Sequence, residues 1–324
     1  MKIGITGGAG FIGGYVVDVA LEHGHDVVVF DARGRLASDT TGPGGVNAFA
    51  HVERRIGDVR DATAMTELSA HVDGIIHLAA CLGTQETIQN PLPATETNIA
   101  GGLHFLEACT QYDIPGVYIG VGNHWMENTY SISKTTVERF TRMFNKERGG
   151  RFNIVRLVNA YGPRQSVAPP YGPAKVRKIM PSFICRALTG NPIEVYGDGS
   201  QVSDMVYVKD GAEALVRSLE RAAEGVIFDR PVEVGSDDPV TVGQVAELVR
   251  DTVSSTGFSD EVPIKYLPMR PGEMPGTPVV ADTNTLEFVD MDEPVYYRTP
   301  LHTGIEQTVQ WYRDNWLPEY EASK

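Results

Sequence analysis

Short apolar segments alternate with longer amphipathic segments through the first half of this 324-residue chain. The apolar segments have the length of buried strands, and the longer ones repeat apolar residues at helical spacing. They predict strands at 2–6, 26–30, 52–56, 74–78, 116–121 and 152–157, and helices at 11–23, 93–112 and 130–148. Apolar strands separated by amphipathic helices are typical of a parallel sheet covered on both faces. We therefore predict an α/β fold with a doubly wound parallel sheet.

The pattern becomes less regular after Asn159, where four prolines lie close together and the periodic segments shorten. We expect one domain over 1–160 and a smaller mixed α/β domain over most of 161–324. Predicted strands at 205–208 and 231–234 return the chain to the main sheet at about 203–235. The polar, glycine-rich stretch at 34–45 is predicted to be a surface loop.

Composition and charge limit the kinds of partner that the protein is expected to bind. The formal charge is −14 and no basic stripe interrupts it, which argues against nucleic acid. No apolar run approaches the roughly 18 residues of a membrane span, and the first residues resemble a core strand rather than a signal peptide, so we expect no membrane partner and a cytoplasmic location. The cysteines Cys81, Cys109 and Cys185 are widely spaced without a C-x-x-C pattern, so we expect buried free thiols and no metal site.

A glycine-rich turn follows the first predicted strand. The turn is Gly7-Gly8-Ala9-Gly10-Phe11-Ile12-Gly13, and its backbone N–H groups can approach a diphosphate at the N-terminus of the next helix. Asp31 ends the second strand, at the position of the carboxylate that binds the adenosine ribose of a dinucleotide. That carboxylate would repel a 2′-phosphate, so NAD is favoured over NADP, although Arg33 and Arg35 leave NADP open. The alternative is a Rossmann fold that binds no cofactor.

Tyr130 and Lys134 begin a predicted helix four residues apart, which places them on one face. A nearby ammonium, a cationic nicotinamide and the positive helix end would all favour the phenolate of Tyr130. The pair is therefore a candidate general base, and two solvent-exposed side chains are the alternative interpretation.

At this point the sequence resembles the extended short-chain dehydrogenase/reductase family of NAD-dependent nucleotide-sugar epimerases and dehydratases, typified by UDP-glucose 4-epimerase. The resemblance spans nearly the whole chain. The matching segments are the turn at 7–13, Gly57-Asp58-Val59, His77-Leu78-Ala79-Ala80, Tyr130-Ser131-Ile132-Ser133-Lys134, Arg156-Leu157-Val158-Asn159-Ala160-Tyr161-Gly162-Pro163-Arg164, Tyr196-Gly197-Asp198-Gly199-Ser200-Gln201 and Arg270-Pro271-Gly272-Glu273.

The resemblance implies roles for individual residues. Tyr130 would take a proton from a sugar hydroxyl, while Lys134 would hold the nicotinamide ribose and lower the pKa of the phenol. The cofactor contacts implied outside the glycine turn are Asp31, Arg33, Asp58, Val59, Leu78, Ala79, Ala80 and Asn98, together with Tyr130 and Lys134. Asn159 and Arg270 would bind a nucleotide diphosphate, with turn and ion-pair roles as their alternatives, and His77 is expected to pack in the core.

The chain departs from the family pattern at two positions. Most members carry a Ser or Thr about 25 residues before the tyrosine, whereas the corresponding segment here is Val117-Tyr118-Ile119-Gly120-Val121-Gly122-Asn123-His124-Trp125 and the loop after it is short. Thr84, Asn123, His124, Thr129 or a water would have to replace that hydroxyl, with Thr84 the leading candidate and stacking on Trp125 the alternative for His124. Where relatives have an arginine before the aspartate, this chain has Ser203-Asp204. Lys175, Arg177 and Lys178 could compensate, although a solvated basic turn is the favoured interpretation of this cluster.

The family catalyses several reactions. A 4,6-dehydratase needs a second acid/base pair, and Glu127 is the only carboxylate close to the shortened loop. A 4-epimerase needs only Tyr130, NAD and room for a 4-keto sugar to turn over. We therefore favour a UDP-hexose 4-epimerase that forms a homodimer through helices 93–112 and 130–148. The alternatives are a nucleotide-sugar dehydratase, a reductase, or a non-catalytic dinucleotide-sensing protein.

Overall fold

The computed structural model describes residues 1–33, 52–236, 239–257, 262–270, 278–292 and 294–324. Its strands are β1 (Lys2–Thr6), β2 (Asp26–Asp31), β3 (Glu53–Ile56), β4 (Gly74–His77), β5 (Gly116–Ile119), β6 (Phe152–Leu157), β7 (Ile193–Tyr196), β8 (Val202–Ser203), β9 (Val232–Val234), β10 (Val240–Thr241) and β11 (Ile264–Leu267). Its helices are α1 (Phe11–Glu22), α2 (Ala62–Ser69), α3 (Thr84–Gln89), α4 (Pro91–Thr95), α5 (Gly101–Gln111), α6 (Thr129–Arg148), α7 (Ile179–Leu188), α8 (Val208–Ala223), α9 (Val242–Ser255), α10 (Leu301–Trp311) and α11 (Leu317–Ala322).

Seven parallel strands of the described chain form the central sheet, in the order β3-β2-β1-β4-β5-β6-β9. Alternate residues of the central strands enter different cores. Val27 and Val29 pack with α1 and α8, whereas Val28 and Phe30 pack with α2 and α5 on the opposite face. This confirms the predicted doubly wound α/β sheet. The strand order reverses between β1 and β4, and ligands of open α/β sheets bind in the crevice at such a point.

A separate apolar cluster joins α7, α9 and α10 with β7 of the two-stranded sheet β7–β11. The predicted strand at 231–234 is confirmed as β9, which pairs with β6. The division into two domains at residue 160 stays a prediction.

The strand predicted at 205–208 is wrong. Segment 204–207 is extended, but its hydrogen bonds run to the loop after β6, from Val206 N to Val158 O and from Tyr161 N to Val206 O, and Val208 already begins α8. Val206 is buried in the core of the central sheet, and Met205 and Tyr207 are buried in the cluster of α7, α9 and α10. Periodicity alone cannot distinguish such a buried segment from a sheet strand.

The helix predicted at 93–112 is interrupted. Between α4 and α5 the segment Glu96–Ala100 forms a π-helical turn. A π-helical turn inserts an extra residue into a helix and often lies at a functional site. The loop predicted at 34–45 and Arg35 lie outside the described residues.

Candidate functional site

The glycine turn after β1 has the shape of a phosphate cradle. Gly7 has φ +72°, and a Cβ there would lie 2.7 Å from the backbone nitrogen of Ala79. A Cβ on Gly13 would lie 2.4 Å from Gly7 O. Gly10 caps α1 without a side-chain hydrogen bond, and Phe11, Ile12 and Gly13 form the first turn of the helix. A closely packed glycine turn at a helix N-terminus fits the diphosphate of NAD.

Asp31 connects β2 to this cradle. Its carboxylate accepts hydrogen bonds from Ala9 N at 3.1 Å and from Arg33 N at 2.9 Å. Arg33 also contacts the same carboxylate through Nε at 3.3 Å, and its guanidinium approaches Gly10. The carboxylate and the arginine predicted to bind the cofactor therefore lie together at the edge of the cradle.

The residues after β3 and β4 complete this edge of the sheet. Leu78, Ala79 and Ala80 are partly exposed and directly follow β4. Asp58 pairs with Arg60 at 2.6 Å on the surface. The Val59 side chain is buried in the core beside Gly101, so only its backbone is available for a ligand.

Asn98 lies buried in the π-helical turn. Its Oδ1 accepts from Cys81 N at 2.7 Å, and its Nδ2 donates to Cys81 O and to Ser133 Oγ at 2.9 Å. These bonds use both ends of the amide and tie the segment after β4 to α6. The contact of Asn98 with the cofactor that the resemblance implies stays a prediction.

The N-terminus of α6 presents Tyr130. Asn128 caps the helix, with its side chain accepting from Ser131 N at 3.0 Å. Ser131 Oγ in turn donates to Asn123 Oδ1 at 3.4 Å. The capping role of Asn128 was missed, although an asparagine just before a predicted helix is a common N-cap signal. The cap fixes where the first turn begins and hence where Tyr130 lies.

Lys134, one helical turn after Tyr130 on α6, is fully buried. Its Nζ lies 4.2 Å from the ring centroid of Tyr118 on β5. Burial lowers the pKa of Lys134 to about 7, and the carboxylate of Glu138 opposes that shift. The alternative of an exposed Tyr–Lys pair is thereby excluded for Lys134.

The sequence suggests a lowered pKa for Tyr130, but the protein's own groups do not lower it. Burial raises the pKa of Tyr130 to about 12. The ammonium of Lys134 is itself disfavoured by burial, so it does not supply the stabilising charge that the sequence suggested. Within the protein alone, both side chains are poised towards their neutral forms.

His77 packs beside this pair. Its ring stacks on Phe105 at 4.8 Å and on Tyr118 at 5.9 Å, and its Nδ1 lies 2.9 Å from Thr6 Oγ1. Burial, with a smaller effect of Lys134, lowers the pKa of His77 to about 3. His77 is therefore a neutral core residue, as predicted.

A buried ion network supports α6 from behind. Glu138 accepts from Arg156 Nε at 3.1 Å and from Nη2 at 2.6 Å, and Arg156 Nη1 donates to Glu233 at 2.8 Å. The network joins α6 to β6 and β9. Sequence reasoning missed it because its three members lie far apart along the chain, although Glu138 stands four residues after Lys134.

The end of β5 has no space for the missing hydroxyl. A Cβ on Gly120 would lie 2.2 Å from a Glu138 carboxylate oxygen, and one on Gly122 would lie 2.6 Å from the Val158 side chain. A serine at either position would require these neighbours to move.

The proposed replacements lie on different segments. Thr84 begins α3, next to Gly83 with φ +103°. His124 is exposed and stacks on Trp125 at 6.2 Å, as its alternative interpretation expected. Asn123 donates to the Met126 sulfur at 3.2 Å within a turn.

A cationic group lies near α3. Lys178 precedes α7, and burial lowers its pKa while Glu86 of α3 opposes the shift and Arg270 adds to it. Arg270 stacks over Tyr196 at 4.8 Å, and Arg177 donates to the Tyr196 hydroxyl at 2.9 Å. The solvated-turn interpretation is therefore wrong for Arg177 and Lys178, whereas Lys175 is exposed.

Asn159 has φ +42° and donates to Asp204 O at 3.1 Å and to Ser203 Oγ. Its amide holds the segment before α8, which is the turn role considered as its alternative. Cys109 and Cys185 are buried free thiols, while Cys81 is partly exposed.

Comparison with known proteins identifies the class. Residues 3–235 match the model of the NAD dependent epimerase/dehydratase family, so the chain belongs to this family and its cofactor is NAD. No helix in the described part of the chain is long and apolar enough to cross a membrane.

The similar proteins include several enzymes. The chain is 27% identical to a UDP-N-acetyl-alpha-D-glucosaminuronate decarboxylase of Bacillus cytotoxicus, over 96% of this chain and 97% of the relative. It is 29% identical to a dTDP-glucose 4,6-dehydratase of Mycobacterium tuberculosis, over 100% and 98%. The crystal structure of UDP-glucose 4-epimerase with UDP-glucose from Thermotoga maritima matches with a TM-score of 0.79 at 26% identity, over 97% and 99%. The chain is thus an enzyme of this family.

Proposed function

We propose that the protein is an NAD-dependent nucleotide-sugar 4-epimerase that acts on a UDP-hexose through a transient 4-keto sugar. The observation that carries this proposal is the end of β5. Gly120 and Gly122 leave no space there for a side chain, and the following segment up to α6 contains one carboxylate, the exposed Glu127. A dehydratase needs a further acid/base pair beside the sugar, whereas an epimerase does not.

The residues divide the chemistry between them. Bound NAD supplies a hydride acceptor and donor. Tyr130 Oη takes the proton from the sugar 4-hydroxyl and returns it when the ketone is reduced. Lys134 lies against the Tyr118 ring, one helical turn after Tyr130, where it can hold the cofactor ribose. Asn98 and Asn128 fix the first turns of α6, so Tyr130 keeps its place during both proton transfers.

The cationic group is proposed to bind the nucleotide diphosphate. Lys178 and Arg270 are near each other and near Glu86 on α3. A diphosphate beside them would restore the charge of Lys178, whose pKa burial lowers. This arrangement would replace the arginine that the sequence lacks before Asp204.

Incubation with UDP-, dTDP- and GDP-hexoses and a UDP-hexuronic acid, followed by mass spectrometry and NMR, tests the assignment. Unchanged mass with inverted stereochemistry at C4 is the expected result. Loss of water would assign a dehydratase and loss of carbon dioxide a decarboxylase, and either would overturn the proposal.

Tyr130→Phe tests the base in the same assay. We expect a loss of roughly 10²–10⁴ in rate with NAD still bound, since a positioned acid/base group contributes this much. Tyr112→Phe is the matched control, because Tyr112 is an exposed tyrosine at the end of α5. Full turnover by Tyr130→Phe would contradict the mechanism.

We also propose that the protein is a homodimer. Large apolar side chains are exposed on the surface that includes α4 and α6, where Leu92 is 73% and Ile132 is 53% exposed. Covering such side chains with a second copy would remove apolar area from water.

A further inference from the structure

Two histidines and a glutamate converge where α1 ends, at the opposite end of that helix from the cofactor cradle. His23 is the C-cap residue of α1, His25 precedes β2, and Glu220 lies on α8. His23 Nδ1 is 3.0 Å and His25 Nε2 is 2.8 Å from the same oxygen, Glu220 Oε1. The three donor atoms all lie within 4.8 Å of one another.

A second carboxylate holds His23 in place. Glu213 Oε1 lies 3.1 Å from His23 Nε2, and it also accepts from Arg217 Nε at 2.7 Å. Glu213 and Glu220 stand seven residues apart on α8 and therefore share a face. An imidazole with a carboxylate behind it is the arrangement that orients metal-binding histidines and raises their basicity.

Two carboxylates and two cations surround the imidazoles. Arg217 pairs with Glu213, and Glu220 Oε1 contacts both imidazoles, while the N-terminal ammonium of Met1 lies 3.4 Å from His25 Nδ1. The C-terminus of α1 adds a partial negative charge at His23. His23 faces a carboxylate from each ring nitrogen, so one nitrogen needs a second proton or a metal ion in its place.

We propose that His23, His25 and Glu220 form a binding site for one divalent transition metal ion, with Zn²⁺ the best match to a set of two imidazoles and one carboxylate. Bonds of 2.0–2.2 Å at tetrahedral angles separate ligand atoms by roughly 3.4 Å, so the present contacts need to open by only about half an ångström. The side chains are 12–31% exposed, which leaves the fourth position to water. The ion would link the end of α1 to α8.

The test is metal binding by the untagged, chelator-treated full chain. Titration with Zn²⁺ should show one tight equivalent, and Co²⁺ should give the visible absorption of a four-coordinate site without a thiolate band. His25→Gln and Glu220→Gln should abolish the tight equivalent, and Glu213→Gln should weaken binding roughly 10–100-fold. His71→Gln is the matched control, because His71 also contacts a single glutamate, Glu53, at 3.1 Å.

Thermal unfolding provides a second readout that does not require turnover. Zn²⁺ should raise the Tm of the wild type and of His71→Gln, because a ligand that binds only the folded state stabilises it. The Tm of His25→Gln should not respond. The proposal would be overturned if no Zn²⁺ ion bound tightly, if tight binding persisted in His25→Gln, or if Co²⁺ gave a thiolate band.

Discussion

Replacing Lys134 with methionine is expected to abolish turnover and to stabilise the fold. Lys134 is fully buried, and burial lowers its pKa from 10.5 to about 7. Between these pH values the unfolded chain binds a proton that the folded chain does not, so the free energy of unfolding rises with pH. The part of the stability that depends on a neutral Lys134 is complete above pH 10.5 and is lost as the pH falls towards 7.

The size of the stability change follows from the difference between the two pKa values of Lys134, 10.5 and about 7. At about 1.4 kcal/mol for each pH unit, the folded protein at pH 7 carries a deficit of about 4 kcal/mol relative to an uncharged side chain. Methionine has a similar shape and no charge, so it removes that deficit, and the contact that it forfeits with the Tyr118 ring is one of an only partly charged amine. We therefore expect a net gain of up to about 4 kcal/mol at pH 7.

The measurement is urea unfolding of the wild type and Lys134→Met from pH 7 towards pH 10, with Lys146→Met as the control. Lys146 lies on the same helix but is exposed, so its replacement should leave stability and its pH dependence unchanged. The advantage of Lys134→Met should shrink as pH rises. A variant less stable than the wild type at pH 7, or one with the same pH slope, would refute the reasoning.

Three further predictions concern the replacement hydroxyl, the core histidine and the dimer. Thr84→Val should slow turnover roughly tens to hundreds of fold without loss of NAD, whereas His124→Phe should have little effect; near-normal rates in both would point to Asn123 or water. The pKa of buried His77 is about 3, so stability should be lost as pH falls from 6.5 towards 3, and a His77→Phe variant should show a flatter acid slope in chemical unfolding. Leu92→Glu should convert a dimer to a monomer in light scattering with the fold retained by circular dichroism, and an unchanged mass would place any interface elsewhere.

The fold could be predicted where the apolar pattern of a segment matches its burial in the folded chain. Strands β1, β2 and β6 are buried on both faces, and their continuous apolar runs show this directly in the sequence. The segment 205–207 is also apolar and buried, but its hydrogen bonds run to the loop after β6, so the same signal gave a wrong strand. The π-helical turn at Asn98 was also missed, because it depends on hydrogen bonds to Cys81 and Ser133 from distant segments.

In the candidate site, too, some residues could be predicted from the sequence and others could not. The glycine turn, Asp31, Tyr130 and Lys134 were found because their spacing along the chain carries the geometry. Glu138, Arg156 and Glu233 could not be found, since 18 and 77 positions separate Arg156 from its two partners. Among the protein's own groups, burial raises the pKa of Tyr130 and lowers that of Lys134. This burial depends on how α6 packs on β5, so the sequence did not show it, and the effect expected of a cationic nicotinamide stays a prediction.

The two perturbed pKa values place a condition on catalysis. Tyr130, with a pKa of about 12, holds its proton at neutral pH, and Lys134, with a pKa of about 7, is only partly charged. Neither side chain alone makes the other a base, so Tyr130 requires a further positive charge nearby before it can accept a sugar proton. The oxidised form of NAD carries such a charge on its nicotinamide ring. A buried tyrosine of this kind would thus remain inert beside the reduced cofactor and become basic beside the oxidised one, which couples proton removal to the presence of a hydride acceptor.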